Sequence, residues 1–392
     1  MGTLAAGHTI RRIALAAASV AIVAGAGLFY LRPGSGSPAQ GAAVVPESTA
    51  RPVAEVHLGS AQRGWVTVGG PAAGMLATRD GGRHWTRLLT LPEGEPRGPT
   101  FFDGEHGMLS AHGPGGPALW RTDDGGALWR RASLPEGPGT AVGPTFFLNS
   151  RRGWYLVLGP PGGSVGGIPF QQEATLYRTD DGATTWHRLV ATGGLGAAFA
   201  DTGIKTWVSF QDDQVGWIGG EAFGGSPLLW RSLDGGATWA GVVLPPPAGN
   251  PPRLEFAPPP ATFADGSGAL LAREDQDGGP VGVVLRTPDG GEDWGDASRV
   301  PDLTPGDATW LTATFLDTRR WWVGVGPTLW TTADAGGHWQ PGGRAPGGGA
   351  FAQLSVLDDR QAWAAVTGPT GRYDLAATAD GGHHWRTIAL DR

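Results

Sequence analysis

Residues 122–129 read TDDGGALW, and near-copies recur along the chain: TRDGGRHW (78–85), TDDGATTW (179–186), SLDGGATW (232–239), TPDGGEDW (287–294), TADAGGHW (332–339) and TADGGHHW (378–385). Ser or Thr stands first, Asp third and Trp eighth in all seven. The anchors are Thr78, Asp80, Trp85; Thr122, Asp124, Trp129; Thr179, Asp181, Trp186; Ser232, Asp234, Trp239; Thr287, Asp289, Trp294; Thr332, Asp334, Trp339; and Thr378, Asp380, Trp385. Gly holds the fifth place in six copies, with Ala183 the exception. From one first residue to the next the steps are 44, 57, 53, 55, 45 and 46 residues, the length of a four-strand propeller blade.

Each octapeptide follows the same approach. An apolar segment comes first, then an acidic or small turn, then a run that often begins Gly-Trp, as at Gly64-Trp65, Gly153-Trp154 and Gly216-Trp217. A third run ends near Leu-Trp-Arg-Thr and leads into the octapeptide, and the residues after its Trp make a fourth. Four strands in each of seven units predict an all-β fold, a seven-bladed β-propeller of four-stranded antiparallel blades, which limits exposed sheet edges by radial repetition. Composition agrees. Gly 68 and Pro 33 supply frequent turns, while 18 Trp and 13 Phe supply the large apolar groups that disordered chains lack.

The octapeptide has a local physical explanation. Asp-Gly-Gly between antiparallel strands makes a turn whose glycines take positive φ, and the carboxylate accepts hydrogen bonds from the turn's own N–H groups. The Ser or Thr hydroxyl joins that network, and the Trp is expected to fold back under its own hairpin as a self-contained staple. One carboxylate per turn offers too few oxygens for calcium, which takes six to eight. A catalytic residue used seven times would be redundant. The repeated Asp residues are therefore read as structural, with no metal and no cofactor expected.

Ser/Thr-x-Asp-x-Gly-x-x-Trp resembles the Asp-box, or BNR repeat, of sialidases, sortilin-type ectodomains and certain glucanases. The longer unit, with Gly-Trp upstream and Leu-x-x-Thr-x-Asp-Gly-Gly-x-x-Trp after it, most resembles the photosystem II stability/assembly factor family of propellers. The resemblance spans about residues 52–392. It implies that the Asp boxes lie at the blade periphery, away from any active site. A role in photosystem assembly would follow from the resemblance alone.

Charge and cysteine content exclude several functions. A net charge of −7 with no basic run gives little electrostatic support for nucleic acid. The absence of Cys excludes disulfides, thiolate metal sites, cysteine nucleophiles and lipid attachment through an N-terminal cysteine. Near the N-terminus, Arg11 and Arg12 precede residues 13–31, a charge-free stretch about long enough to cross a bilayer. The arginines favour an orientation with the remainder outside the cytoplasm. Ala24-Gly25-Ala26 and Ser37-Pro38-Ala39 leave a cleaved signal peptide as the rival. The expected organisation is a signal anchor over 1–32, a Gly/Pro/Ser/Ala linker over 33–51 and the propeller over 52–392.

A binding site is expected on loops that depart from the repeat. Gly159 to Ala174, Thr192 to Lys205, Pro245 to Pro260 and Glu274 to Gly282 are long insertions that meander geometry sends to one sector of one face, opposite the Asp boxes. Candidate contacts are Phe170, Gln171, Gln172, Glu173, Lys205, Arg253, Glu255, Phe256, Arg273, Glu274 and Asp275. Enzymatic alternatives find little support. Sialidase chemistry needs a Tyr nucleophile, a Glu, an Asp and three Arg. Of the four Tyr, Tyr30 lies in the apolar N-terminal stretch, Tyr177 precedes an Asp box, and Tyr155 and Tyr373 sit in ordinary repeats. The Arg-Ile-Pro sequence typical of sialidases is missing, since Gly167-Ile168-Pro169 lacks the Arg. Asp212-Asp213 and Asp358-Asp359 read as turn residues, and the Arg pairs at 130–131, 151–152 and 319–320 as scattered surface charge. His383-His384 lies inside the last Asp box without a companion ligand nearby. The function expected is a membrane-tethered, extracytoplasmic, non-catalytic scaffold for a protein or membrane complex. The alternative is a glycan-binding or glycoside-hydrolase propeller. Closure is left open: either seven whole repeats close the ring, or the segment near Val53 completes the last blade.

Overall fold

The computed structural model describes residues 53–69, 73–90, 95–113, 116–135, 143–165, 168–192, 203–221, 227–245, 254–256, 259–276, 279–301, 310–368 and 372–390. The charge-free stretch 13–31 and the linker 33–51 fall outside them. Among the described residues no helix is long and apolar enough to cross a membrane.

Every repeat forms one antiparallel meander. Blade one is β1 (Val53–Leu58), β2 (Gly64–Val68), β3 (Gly74–Thr78) and β4 (Thr86–Thr90). Blade two is β5 (Glu95–Phe101), β6 (Gly107–Gly113), β7 (Gly116–Thr122) and β8 (Arg130–Ala132). Blade three is β9 (Thr145–Phe147), β10 (Gly153–Val165), β11 (Ile168–Thr179) and β12 (His187–Ala191). Blade four is β13 (Ile204–Phe210), β14 (Gly216–Glu221), β15 (Pro227–Ser232) and β16 (Ala240–Gly241). Blade five has a first strand in two pieces, β17 (Leu254–Phe256) and β18 (Ala261–Thr262), then β19 (Gly268–Gln276), β20 (Gly279–Thr287) and β21 (Gly295–Arg299). Blade six is β22 (Leu311–Phe315), β23 (Trp321–Val325), β24 (Thr328–Thr332) and β25 (Gln340–Arg344). Blade seven is β26 (Phe351–Val356), β27 (Ala362–Thr367), β28 (Tyr373–Thr378) and β29 (Arg386–Ile388).

First strands touch first strands of neighbouring blades (β1 with β5 and β26, β22 with β26, β9 with β13), which places them around the axis. Fourth strands such as β4 and β8 are largely solvated and form the rim. The apolar core is accordingly divided into layers between blades. Trp65, Met75 and Leu109 join blades one and two; Met108 and Phe147, two and three; Trp154, Leu176 and Phe210, three and four; Trp217, Leu229 and Leu285, four and five. Leu271, Val284 and Val323 join five and six; Trp322, Leu329 and Phe351, six and seven; Val56, Leu76 and Trp363, seven and one. Gly before Trp in β10 and β14 makes room for an aromatic of the first strand: a Cβ on Gly153 would fall 2.3 Å from the Phe147 ring, and one on Gly216 2.3 Å from Phe210.

The question of closure is settled by the pairing. Among the described residues each blade is built from strands consecutive in sequence, with β1 paired to β2 and β26 to β29 complete in themselves. The seam is held by side chains instead. Val56 and Leu58 donate their N–H groups to Gln353 Oε1 (2.9 Å) and Ser355 Oγ (2.8 Å), and Gln353 Nε2 donates to Val56 O (3.2 Å).

Candidate functional site

All seven octapeptides adopt one geometry. The Ser or Thr hydroxyl donates to Asp Oδ1 at 2.7–2.9 Å, and the N–H of the fifth residue donates back to that hydroxyl at 2.8–3.1 Å. The N–H of the seventh residue donates to the same Oδ1 at 2.8–3.0 Å. The N–H of the fourth donates, at 2.5–2.9 Å, to a carbonyl of the turn between first and second strands of the same blade. Those turns are themselves capped by Ser60, Asp103, Asn149, Asp212, Asp265, Asp317 and Asp358, each accepting the N–H two residues on. Asp212 and Asp358 are thus turn caps. Asp-box turns and first-to-second turns share one face.

Hydrogen bonds to the charged form hold these carboxyls below the ordinary range. For Asp181 the donors are Thr185, through hydroxyl and N–H, and Thr179, which lower it to about 2. Asp80 and Asp380 are lowered mainly by the N–H and ring of His84 and His384, and Asp334 by the ring and N–H of His338. A depressed carboxyl contributes stability that is whole above the unfolded value near 3.8 and lost as pH falls through the folded value. The thermal midpoint should therefore hold from about pH 7 to 5 and fall below about pH 4, where the unfolded carboxyls bind protons that the seven folded turns still exclude. A midpoint unchanged down to about pH 2 would contradict the role given to these carboxylates.

Both central residues of every turn have positive φ, and among the described residues the two non-glycine residues with positive φ are Ala183 (64°) and Ala335 (59°), each standing where other copies have Gly. Left-handed backbone costs an L-residue about 1–2 kcal/mol, partly offset because Gly is freer when unfolded. Ala335→Gly should stabilise the fold by about 0.5–1 kcal/mol in urea titration, and a loss of stability would refute the strain. Ala183 is 1% exposed, so removing its methyl costs packing that offsets the gain.

The expectation that each Trp staples its own hairpin is met at Trp239 and Trp385, whose Nε1 groups donate to Gly236 O and Gly382 O of their own boxes at 3.0 Å, and is corrected in other copies. Trp85 packs on Trp363 of blade seven, Trp294 on Trp217 of blade four, Trp186 donates to Ser133 O of blade two at 2.8 Å, and Trp339 to Ser298 Oγ of blade five at 3.1 Å. In these four copies the indole fastens one blade to another. A further link was not expected from sequence. The Arg just before the box reaches the next blade's turn: Arg121 Nη1 donates to Gly182 O (3.2 Å) and Arg286 Nη1 to Ala335 O (3.1 Å). Arg178 and Arg231 lie against the equivalent Gly235 and Gly290. The Arg that recurs immediately before the box Ser or Thr at 121, 178, 231 and 286 was the available signal.

On the opposite face the regular repeat is broken in blades three to five. The segments Gly159 to Ala174 and Glu274 to Gly282, expected as loops, continue as strands. β10 and β11 stay paired out to Val165 and Ile168, with a register shift between Leu158 and Pro161 that absorbs the prolines. β9 ends opposite Tyr155 and β12 opposite Thr175, so the distal part pairs as a two-stranded ribbon among the described residues. In blade five β19 and β20 are paired out to Gln276 and Gly279. The Pro245 to Pro260 connection is not wholly loop either, since Leu254, Glu255 and Phe256 pair with Glu274, Arg273 and Ala272.

The candidate residues separate into struts and surface. Gln172 and Lys205 are 4% and 1% exposed. Gln172 Oε1 accepts the Lys205 N–H (3.0 Å), its Nε2 donates to Gly159 O (3.2 Å), and Lys205 Nζ donates to Gln172 O (3.1 Å) and Gly203 O (3.2 Å) and lies 5.6 Å from the Trp230 ring centroid. This pair fastens the base of the ribbon to blade four, a structural role in place of the expected surface contact. Gln171 and Glu173, alternating with Gln172, are exposed, and Arg273 and Glu274 are half-buried on β19. Arg253 lies outside the described residues, as do the side chains of Phe170, Glu255, Phe256 and Asp275. Gln172→Ala would orphan the buried Lys205 N–H, costing about 2 kcal/mol. Amide exchange over 156–174 should quicken while the Asp-box amides keep their protection; equal protection in both would show that the strut does not hold the ribbon.

Solved structures share this architecture. The propeller of "YCF48 bound to D1 peptide" matches with a TM-score of 0.55 and 18% identity over 88% of this chain and 93% of that one. YCF48 from Cyanidioschyzon merolae gives 0.50 and 17% over 86% and 95%. The GH74 xyloglucanase from Xanthomonas campestris gives 0.54 and 16% over 88% of this chain and 55% of its own. The likeness is one of fold. No protein-family model matches the chain, and no curated protein matches it either.

The remaining sequence candidates sit on the Asp-box side. Arg152 pairs with Asp180 (2.8 Å) and with Asp213 of blade four, and Arg320 with Asp317 (2.7 Å) and Asp359 (3.9 Å). These are links within and between blades. His384 Nδ1 meets Asp380 Oδ2 at 2.7 Å, and among the described residues no group of three His, Asp or Glu is placed to hold a metal ion.

Proposed function

We propose that the chain is a non-catalytic propeller, held outside the cytoplasm at a membrane by residues 13–31, that binds a protein partner through the sector of blades three to five. The observation that carries this reading is where the repeat breaks. The carboxylates that recur are occupied by their own turns, whereas, among the described residues, blade three extends its central strands well beyond the blade body and blade five by Asp275 and Gln276, with Gln171, Glu173, Arg273 and Glu274 on or near those extensions. Side chains on rigid strands projecting from a scaffold suit recognition of another protein. The fold likeness to YCF48, solved bound to D1 peptide, supports the same reading.

The test is crosslinking in the native host. A photoreactive group at Gln171 or Glu173 should trap one defined protein that a group at Glu292, on the Asp-box face, does not. Equal capture from both faces would refute the sector. Hydrolysis of sialosides or xyloglucan by residues 52–392 at enzyme-like rates would refute the non-catalytic reading.

A further inference from the structure

At four junctions between blades an arginine fills the gap beneath the next Asp box. Arg121 and Arg286 donate to the carbonyl of that box's fourth residue, Gly182 and Ala335. Arg178 and Arg231 lie against the same place, at Gly235 and Gly290, and their guanidinium carbons stand 6.0 and 5.8 Å from the ring centroids of Trp154 and Trp217. Each of those rings belongs to the cross-strand partner of its arginine, since Trp154 pairs with Arg178 and Trp217 with Arg231. An indole face and a turn that ends in a free lone pair make a holder for a planar cation.

Blade six keeps the holder and lacks the arginine. Trp322 pairs with Thr331, so the indole stays while Thr takes the arginine position. Gly381 is the fourth residue of the blade-seven box, and its carbonyl accepts no hydrogen bond among the described residues. An open cleft of about 400 Å³ lies there, lined by Trp322, Thr331 and Gly381 together with Asp359. That volume falls within the range of small-ligand sites, about 300–1,000 Å³. Blades seven and one also lack the arginine, having Ala377 and Ala77, but there the next blade covers the indole. Trp85 packs on Trp363 with centroids 5.6 Å apart, and Phe101 stacks on Trp65 at 4.1 Å.

Arg320 and Arg360 line the cleft as well. Arg320 is met by Asp317 at 2.7 Å, and Arg360 is exposed to water. Asp359, exposed and 3.9 Å from Arg320, keeps acceptor capacity for a second cation. We infer that the cleft between blades six and seven receives an arginine side chain of a protein partner. Its guanidinium takes the place of the one this junction lacks, stacked on Trp322 and donating to Gly381 O and Asp359. The site lies on the Asp-box face and stands independently of the sector on blades three to five.

The test is saturation-transfer NMR from the full chain in a neutral detergent to N-acetyl-arginine amide, with the lysine, citrulline and glutamate amides as comparisons. The arginine signal is expected to exceed each of the others by about threefold or more, because lysine has no planar cation to stack and citrulline has no charge. Thr331→Arg supplies the missing side chain from within the blade, so the thermal midpoint should hold or rise while the arginine signal is lost. If that variant fails to fold, Thr331→Met covers Trp322 without offering a donor and should abolish the signal in the same way. Equal lysine and arginine signals would reduce the cleft to general charge attraction, and a stronger glutamate signal would make it a carboxylate site of Arg320 and Arg360. Either result overturns the inference, as does the lack of any arginine signal or its survival in a folded Thr331 variant.

Discussion

Trp154→Ala is expected to cost about 4 kcal/mol, the upper part of the range for emptying a buried aromatic site. Trp154 is fully buried, and its ring stacks on Phe210 of the next blade with centroids 3.6 Å apart and planes 5° from parallel. Its Nε1 donates to Gly235 O of the blade-four Asp box at 2.9 Å. The substitution removes the packing between blades three and four and leaves that carbonyl without its donor. Trp154→Phe separates the two effects, and comparison with Trp217→Phe isolates the hydrogen bond. Trp217 is equally buried, but its Nε1 has no partner among the described residues. Urea titration should show the Trp154→Phe change costing about 1 kcal/mol more than Trp217→Phe. Equal costs would remove the hydrogen bond from the account of this junction.

Gly291→Ala should be nearly as damaging, by a different mechanism. Gly291 has φ of 88°, and a Cβ there would lie 2.1 Å from a ring carbon of Trp217. Backbone strain of about 1–2 kcal/mol adds to overpacking of about 1–3 kcal/mol, so a loss of about 3 kcal/mol is expected. Gly241→Ala is the control, because nothing lies within 4 Å of a Cβ there. It should change stability by no more than about 0.5 kcal/mol. If Gly291→Ala were as mild as the control, the blades would have to be looser than their packing implies.

These two sites show which features a sequence can disclose. The Asp box was legible because its hydrogen bonds close within six residues, from Thr78 to His84 for example, so spacing alone encodes the geometry. Blade number followed from counting. The partners of the box Trp were not legible, since Trp186 meets Ser133 and Trp85 meets Trp363 across gaps that no local pattern records. The ribbon was missed because Pro160-Pro161 and Gly162-Gly163 read as strand breakers; a register shift accommodates them where no third strand needs the missing N–H. Lys205 was placed among the surface contacts as the end of the Thr192 to Lys205 insertion, yet carbonyls of Gln172 and Gly203 take it inside. Within the candidate site, the sector on blades three to five came from insertion lengths, and the division into struts and exposed groups came only from alternation along β11.

The seam between β26 and β1 has a consequence for how such a chain can change. Because, among the described residues, no sheet borrows a strand across it, a DNA duplication or deletion that begins and ends between blades adds or removes a whole folding unit without splitting one. Circular permutants opened at another junction should refold to the same ring, since blade seven already meets blade one through side chains and a new peptide link there would break no pairing. Heredity can thus shuffle the rim hairpins among positions while the closed wheel persists.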